Sequence, residues 1–151
     1  MFGFGKARAE KKARDAEVQS LIAAAVEETD DAFDEYFAKV EQVSQEFLKR
    51  LDGFLTDLEP VEGETPREVS EMWLLDVVDM WREARPEMEA RGREFLQGQF
   101  EVGKEIGIEW SIEEIFKERF DRAEFNFKAR AVIAAGEAAD RAEGGATTKN
   151  D

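Results

Sequence analysis

Hydrophobic residues in the N-terminal third of the chain recur at alternating steps of three and four, the spacing of one helix face. Such a seam is typical of a helix that packs lengthwise against other helices, as in a coiled coil. The seam predicts one long helix from about Ala7 to about Leu58, where Pro60 opens a loop. The residues of the seam are Val26, Thr29, Phe33, Tyr36, Val40, Val43 and Phe47.

A second helix is indicated by its N-terminal signature. Thr65 suits the N-cap, Pro66 suits the first helical position, and Glu68 completes a capping box. Helical spacing continues to Ala84, after which Pro86 should kink or break the helix because proline has no amide hydrogen. A further helical piece, interrupted by glycines, follows the proline.

The third predicted helix begins with Ser111 as its N-cap and has Glu114 three residues later, as in another capping box. The segment before this cap contains Ile108 and Trp110, either of which could form a hydrophobic staple at the start of the helix. Phe125 falls outside the apolar stripe of this helix, so we assign it to contact with a partner. The helical pattern fades by about Arg141, and the residues beyond it are predicted to be flexible.

Together these elements predict an all-α fold, an elongated bundle of three main helices with a very long first helix and a second helix kinked near Pro86. The first helix, of about fifty residues, would span about 75 Å, more than the other two can cover. Either it breaks near residues 27–31 or its excess docks on another chain, which we favour. The predicted organisation is a basic N-terminal arm (1–14), a helical domain (15–141) and a flexible C-terminal tail (142–151).

The segment from Met72 to Trp81 is apolar around most of its circumference. Its polar arc, formed by Asp76, Asp79 and Glu83, is narrow, whereas a helix facing one core needs an apolar stripe of only about 100°. The segment should therefore contact structure on two sides: the centre of its own bundle, a second subunit, or, as a third alternative, a small molecule. The predicted interface residues are Met72, Trp73, Leu74, Leu75, Val77, Val78, Met80, Trp81 and Phe125.

Charge is distributed unevenly along the chain. The net charge is −15, yet residues 1–14 carry +4 and the remainder −19. The acidic body should repel nucleic acid and anionic lipid, so only the arm could bind such surfaces. The arm is either an anchor to protein, membrane or granule surfaces or a solvated terminus. Its candidate anchor residues are Phe2, Phe4, Lys6, Arg8, Lys11, Lys12 and Arg14.

Composition excludes several chemistries. The chain has no cysteine and no histidine, so thiolate and imidazole metal sites, disulfides and Ser-His-Asp catalysis are impossible. The acidic run from Glu27 to Glu35 lacks the calcium-loop pattern and is predicted to be a solvated helix face. The longest apolar run, Leu21 to Val26, is too short to span a bilayer. We therefore predict no metal, no cofactor and no enzymatic activity, in a cytoplasmic protein.

No motif identifies a family. In composition and helical patterning over the whole chain, the sequence resembles scaffold and coat proteins of phages and viruses, and phasin-like coats of storage granules. The leading prediction is a non-enzymatic assembly protein that forms homo-oligomers or binds a helical partner through the Met72–Trp81 segment and the first helix. A peripheral coat on lipid or granules is the alternative, and a small-molecule-binding or enzymatic bundle comes third.

Overall fold

The computed structural model describes residues 2–58 and 61–149, except for the side chains of residues 2–4 and 145–149. All the regular structure in these ranges is helical, which confirms the predicted all-α class. None of the described helices contains an apolar stretch long enough to cross a lipid bilayer. The helices are α1 (Phe2–Thr56), α2 (Pro66–Phe95), α3 (Gln97–Glu105) and α4 (Glu109–Lys149).

Pro86 does not break α2, which continues through it to Phe95. Proline removes only one helical hydrogen bond, and the following turns are stabilised by buried Met88 and Gly92. The helix ends at Phe95, and its C-cap is Leu96, a fully buried residue whose amide donates to the Gly92 carbonyl over 2.9 Å. The glycine-interrupted piece is therefore split between the end of α2 and the separate short helix α3.

The predicted N-cap of α2 is confirmed, because the Thr65 hydroxyl accepts a hydrogen bond from the Glu68 amide at 3.2 Å. The predicted cap at Ser111 is wrong, because α4 begins two residues earlier at Glu109. Gly107, with φ of 80°, makes the turn before α4, a conformation that favours glycine. The turn closes when the Ile108 amide donates to the Gly103 carbonyl over 2.7 Å.

Two helices are also longer than their apolar patterns indicated. The first helix begins at Phe2 instead of about Ala7, and α4 continues past Arg141 to Lys149. Apolar periodicity reports packing, whereas Ala, Glu, Lys and Arg favour helix without any packing partner. The flexibility assigned to residues 142–151 stays a prediction.

The core lies where α1, α2 and α4 meet and is rich in aromatic rings. Phe37 of α1 and Phe120 of α4 pack edge to face with centroids 4.8 Å apart, and Phe116 packs on Phe120 at 5.0 Å. Such tilted contacts are the geometry that aromatic pairs prefer. The largest fully buried side chains are Phe33, Val40, Leu51, Val77, Trp81, Leu96, Phe116, Phe120 and Phe127.

The buried hydroxyl groups and the buried indole of the core have hydrogen-bond partners. The Trp81 indole N–H donates to the Ser44 hydroxyl at 3.0 Å, joining α2 to α1. The Tyr36 hydroxyl donates to the Met88 carbonyl, also between α1 and α2. Thr29, buried where α1 enters the bundle, donates to the Ala25 carbonyl at 2.7 Å. The Trp81 and Tyr36 bonds fix the register of α1 on α2, because each is lost if one helix shifts along the other, whereas the Thr29 bond lies within α1.

Tyr36, the only tyrosine in the chain, provides a test of this core. Burial raises the pKa of its hydroxyl above the ordinary value, while the Arg91 charge and a backbone hydrogen bond at Gly92 partly oppose the shift. Folding therefore favours the neutral phenol, whose contribution is complete below about pH 10 and lost as pH rises through the folded-state pKa. Ultraviolet titration should give a higher midpoint in buffer than in urea, and equal midpoints would contradict this burial.

Candidate interaction surfaces

The structure divides the predicted interface on α2 into two parts. Burial within the chain accounts for Val77, Val78 and Trp81, which lie in its own core. The surface left for a second chain is correspondingly smaller than the sequence indicated. Trp73 and Leu74 are half-buried, and the exposed members of the predicted set are Met72, Leu75, Met80 and Phe125.

The helix α2 packs against both α1 and α4, and these contacts cover two of its apolar sides. Trp81 stacks against Phe127 of α4 with ring centroids 5.9 Å apart, while its N–H points to α1. Trp73 stacks on Phe54 of α1 at 4.1 Å, with the rings nearly parallel. Contacts within the chain therefore satisfy much of the pattern that suggested a subunit interface.

An apolar groove of about 340 Å³ remains open between the end of α1 and the start of α2. Phe54, Val61 and Met72 on its walls are exposed large hydrophobic residues. The sequence pattern did not reveal it, because the predicted seam of the first helix ends at Phe47 and Val61 follows Pro60, where a loop was predicted to open. The lining residues are Gly53, Phe54, Asp57, Val61, Val69, Met72, Trp73 and Asp76.

A second cleft, of about 410 Å³, lies between α2 and the start of α4 beside Trp110. Trp110 is exposed, while Ile108 packs against the core. The cleft's arginines already have carboxylate partners within the chain: Arg85 bonds Glu89 at 2.7 Å and Arg93 bonds Glu113 at 3.0 Å. Both arginines of the cleft therefore take part in ion pairs within the chain.

The outer face of α4 also carries apolar residues. Phe125 and Val132 are exposed and lie seven residues apart, hence on one side of the helix, with exposed Ile133 beside Val132. Sequence analysis singled out Phe125 but missed the other two, since both lie beside the alanine stripe of the core.

The largest uncovered element is the N-terminal part of α1, residues 5–28, which we call the overhang. Every residue from Gly5 to Ser20 is exposed, and the first buried residue is Thr29. The overhang extends over about 36 Å, and Val18, Leu21 and Val26 are exposed along it. Most helical stability in proteins comes from packing an apolar face, and the exposed side chains of the overhang lack that contribution.

The basic residues predicted as an anchor lie at the far end of the overhang. Lys6, Arg8, Lys11, Lys12 and Arg14 are exposed, and none forms an ion pair with another described residue. The predicted anchor side chains of Phe2 and Phe4 lie outside the described residues.

The acidic run where the overhang enters the bundle is a solvated face. All six of its carboxylate residues are exposed, and one of them, Asp34, bonds Arg119 of α4 at 2.7 Å. Among the residues that the structure describes, no cluster of three or more acidic side chains is arranged to hold a metal ion.

No protein-family model, curated protein or solved structure matches the chain. Function is therefore inferred from the surfaces of this chain alone.

Proposed function

We propose that this protein is a non-enzymatic, cytoplasmic assembly protein, an elongated helical bundle with α2 kinked at Pro86, that self-associates through uncovered apolar helix faces. The observation that carries the proposal is the overhang, a helix in which none of residues 5–28 is buried and whose Val18, Leu21 and Val26 side chains are exposed. Its partner is a second copy or another helical protein, and nucleic acid is not expected on the acidic body.

A second chain would supply the packing that the overhang lacks. Complete burial of a fully exposed leucine or valine contributes about 1.5–3 kcal/mol, and covering Leu21 or Val18, which are 61% and 51% exposed, would contribute part of this. The same contact would stabilise the overhang's helical conformation, because most helical stability in proteins comes from packing an apolar face. The exposed residues of α2, Met72 and Leu75 among them, offer an additional surface for assembly.

The absence of histidine and cysteine supports a non-enzymatic role, since it removes the commonest bases and nucleophiles. The charged residues of the larger cleft support it as well. Arg85 is held by three carboxylates, those of Glu89, Asp121 and Glu124, the closer two at 2.7 Å. Groups paired in this way stabilise contacts between α2 and α4 instead of facing a reacting substrate.

Three glutamate variants at similarly exposed positions should identify the associating surface. Leu21, Leu75 and Val132 are 61%, 62% and 54% exposed, on the overhang, α2 and α4 respectively. We expect Leu21→Glu to raise the dissociation constant about a hundredfold or more, because two copies of the side chain leave the interface. Leu75→Glu and Val132→Glu should change it less than about tenfold, as measured by sedimentation equilibrium with helicity checked by circular dichroism.

Each other outcome has a definite meaning. If Leu75→Glu dissociates the assembly and Leu21→Glu does not, α2 is the associating surface and self-association stands. A wild-type chain that stays monomeric at high concentration contradicts the proposal.

A peripheral coat on lipid or storage granules is the second candidate, favoured by the five exposed bases of residues 6–14. Bases near an anionic bilayer contribute about 1 kcal/mol each, although the acidic body opposes contact. Flotation with anionic vesicles separates the candidates. Binding that weakens with salt and disappears when residues 1–14 are deleted would favour the coat over self-association.

A further inference from the structure

Charge along α1 changes sign between the two ends of the overhang. Residues 6–14, the basic segment, carry five bases and one acid, a net +4. Residues 27–35, the acidic segment, carry six acids and no base, a net −6. Between them, residues 15–26 have two charged residues, Asp15 and Glu17, and include Val18 and Leu21. The overhang therefore has a basic end and a less charged centre, and it leads into the acidic segment where α1 enters the bundle.

The two charged segments cannot neutralise each other within one chain. They lie on one continuous helix, with centres about 32 Å apart at 1.5 Å per residue. Charges in physiological salt are screened beyond about 8 Å, so the segments do not attract each other at that distance. Within the described structure the basic segment forms no ion pair, and the acidic segment forms one, through Asp34.

We propose that the overhang docks antiparallel on the overhang of a second copy, with each basic segment against the partner copy's acidic segment. This inference rests on the proposed self-association and specifies its geometry. The pairing is centred within residues 18–25, so that Val18 and Leu21 of both copies lie near the twofold axis. A twofold contact of this kind is self-complementary, and every favourable charge pair occurs twice.

The charge pattern favours this arrangement over the alternatives. A parallel pair would place basic segment beside basic segment and acidic beside acidic, so both ends would repel. An anionic lipid surface would attract the basic segment but repel the acidic segment and the body behind it. A second copy presents the complementary charge to both segments at once, at a separation that the shared helix fixes.

Two charge-reversed variants test the pairing. The acidic variant carries Lys11→Glu, Lys12→Glu and Arg14→Glu, and the basic variant carries Glu27→Lys, Glu28→Lys and Asp31→Lys. Asp34 is left unchanged because it bonds Arg119 within the chain. Each variant alone should associate about a hundredfold more weakly than wild type, because attractive pairs in both symmetry-related contacts become repulsive. Their equimolar mixture should recover the wild-type dissociation constant, since one of the two contacts then has its native charges and the other is attractive again with its signs exchanged.

The other outcomes overturn the inference in distinguishable ways. If each variant associates with itself as tightly as wild type, the charged segments do not meet. If Leu21→Glu still dissociates wild type in that case, the proposed function survives without the antiparallel pairing. Tighter self-association of the acidic variant would indicate parallel overhangs. A monomeric wild type, whether free or bound to anionic vesicles, removes both proposals.

Zero-length cross-linking of the wild-type chain gives a second measurement that needs no substitution. A carbodiimide joins a lysine amine to a carboxylate without a spacer, and mixing isotope-labelled with unlabelled protein marks links between copies. We expect links from Lys11 or Lys12 of one copy to Glu27, Glu28 or Asp31 of the other. Within one helix Lys12 and Glu27 are about 22 Å apart, too far for such a link. Intermolecular links confined to acids outside 27–35 would contradict the pairing.

Discussion

Replacing Trp81 with alanine should lower the free energy of unfolding by about 3–5 kcal/mol, the largest effect expected of a single core substitution. The indole is fully buried, stacks on Phe127 and donates its N–H to Ser44 at 3.0 Å. Alanine would leave a cavity at the junction of all three long helices and would also leave the Ser44 hydroxyl without its donor. Urea unfolding monitored by circular dichroism, at one fixed protein concentration, measures the loss.

Two companion variants separate packing from hydrogen bonding. Trp81→Phe retains much of the ring volume and should cost less than Trp81→Ala, and it serves as the readout if the alanine variant does not fold. Ser44→Ala keeps the indole but removes its acceptor, which should cost about 1–3 kcal/mol. A loss below about 1 kcal/mol for Trp81→Ala would show that the side chain is not at the centre of the core.

Adding one methyl group at Gly92 should also destabilise the fold. A Cβ there would lie 2.6 Å from Cε1 of Tyr36 and 3.1 Å from Cε2 of Phe116, two rings held in the core. Overpacking of this kind costs about 1–3 kcal/mol, which exceeds the gain of up to about 1 kcal/mol from replacing a helical glycine. We expect Gly92→Ala to shift the urea midpoint downward.

Gly53→Ala is the matched control, because Gly53 lies in α1 with open space around the added methyl group. It should stabilise the chain by about 0.5–1 kcal/mol through helix propensity alone. If both substitutions raise the urea midpoint, α1 and α4 do not approach α2 as closely at Gly92 as the structure shows.

Local chemistry explains which parts of the fold could be predicted. The Thr65 cap depends on residues within one turn, and the α1 seam depends on a single periodicity, so both are visible in sequence. The end of α2 is not visible in this way. Pro86 is the strongest local breaker in the helix, yet tertiary packing of Met88 and Gly92 keeps the helix intact past it. Packing energy overrides the local preference there.

The candidate surfaces, too, depend on tertiary packing and could be predicted only in part from local sequence. Apolar residues around α2 indicated contacts on two sides, but the sequence could not say whether those sides belonged to one chain or two. In the structure Trp81 and Trp73 face α4 and α1 of their own chain. The groove beside Phe54 arises only when the end of α1 is placed next to α2, so no single stretch of sequence contains its pattern. Helix length alone, in contrast, predicted that part of α1 exceeds what the other helices cover.

Because α1 is continuous, the overhang is a rigid extension of the bundle instead of a flexible linker. No glycine or proline occurs between residues 6 and 52, so the helix lacks the usual causes of a hinge from its basic end to the core. A flexible linker of the same 24 residues would have its ends about 27 Å apart on average and would point in every direction. The helix holds them about 36 Å apart along one axis. A partner that binds the overhang therefore also sets the position and orientation of the bundle. An assembly built on the overhang would have a defined spacing between its subunits.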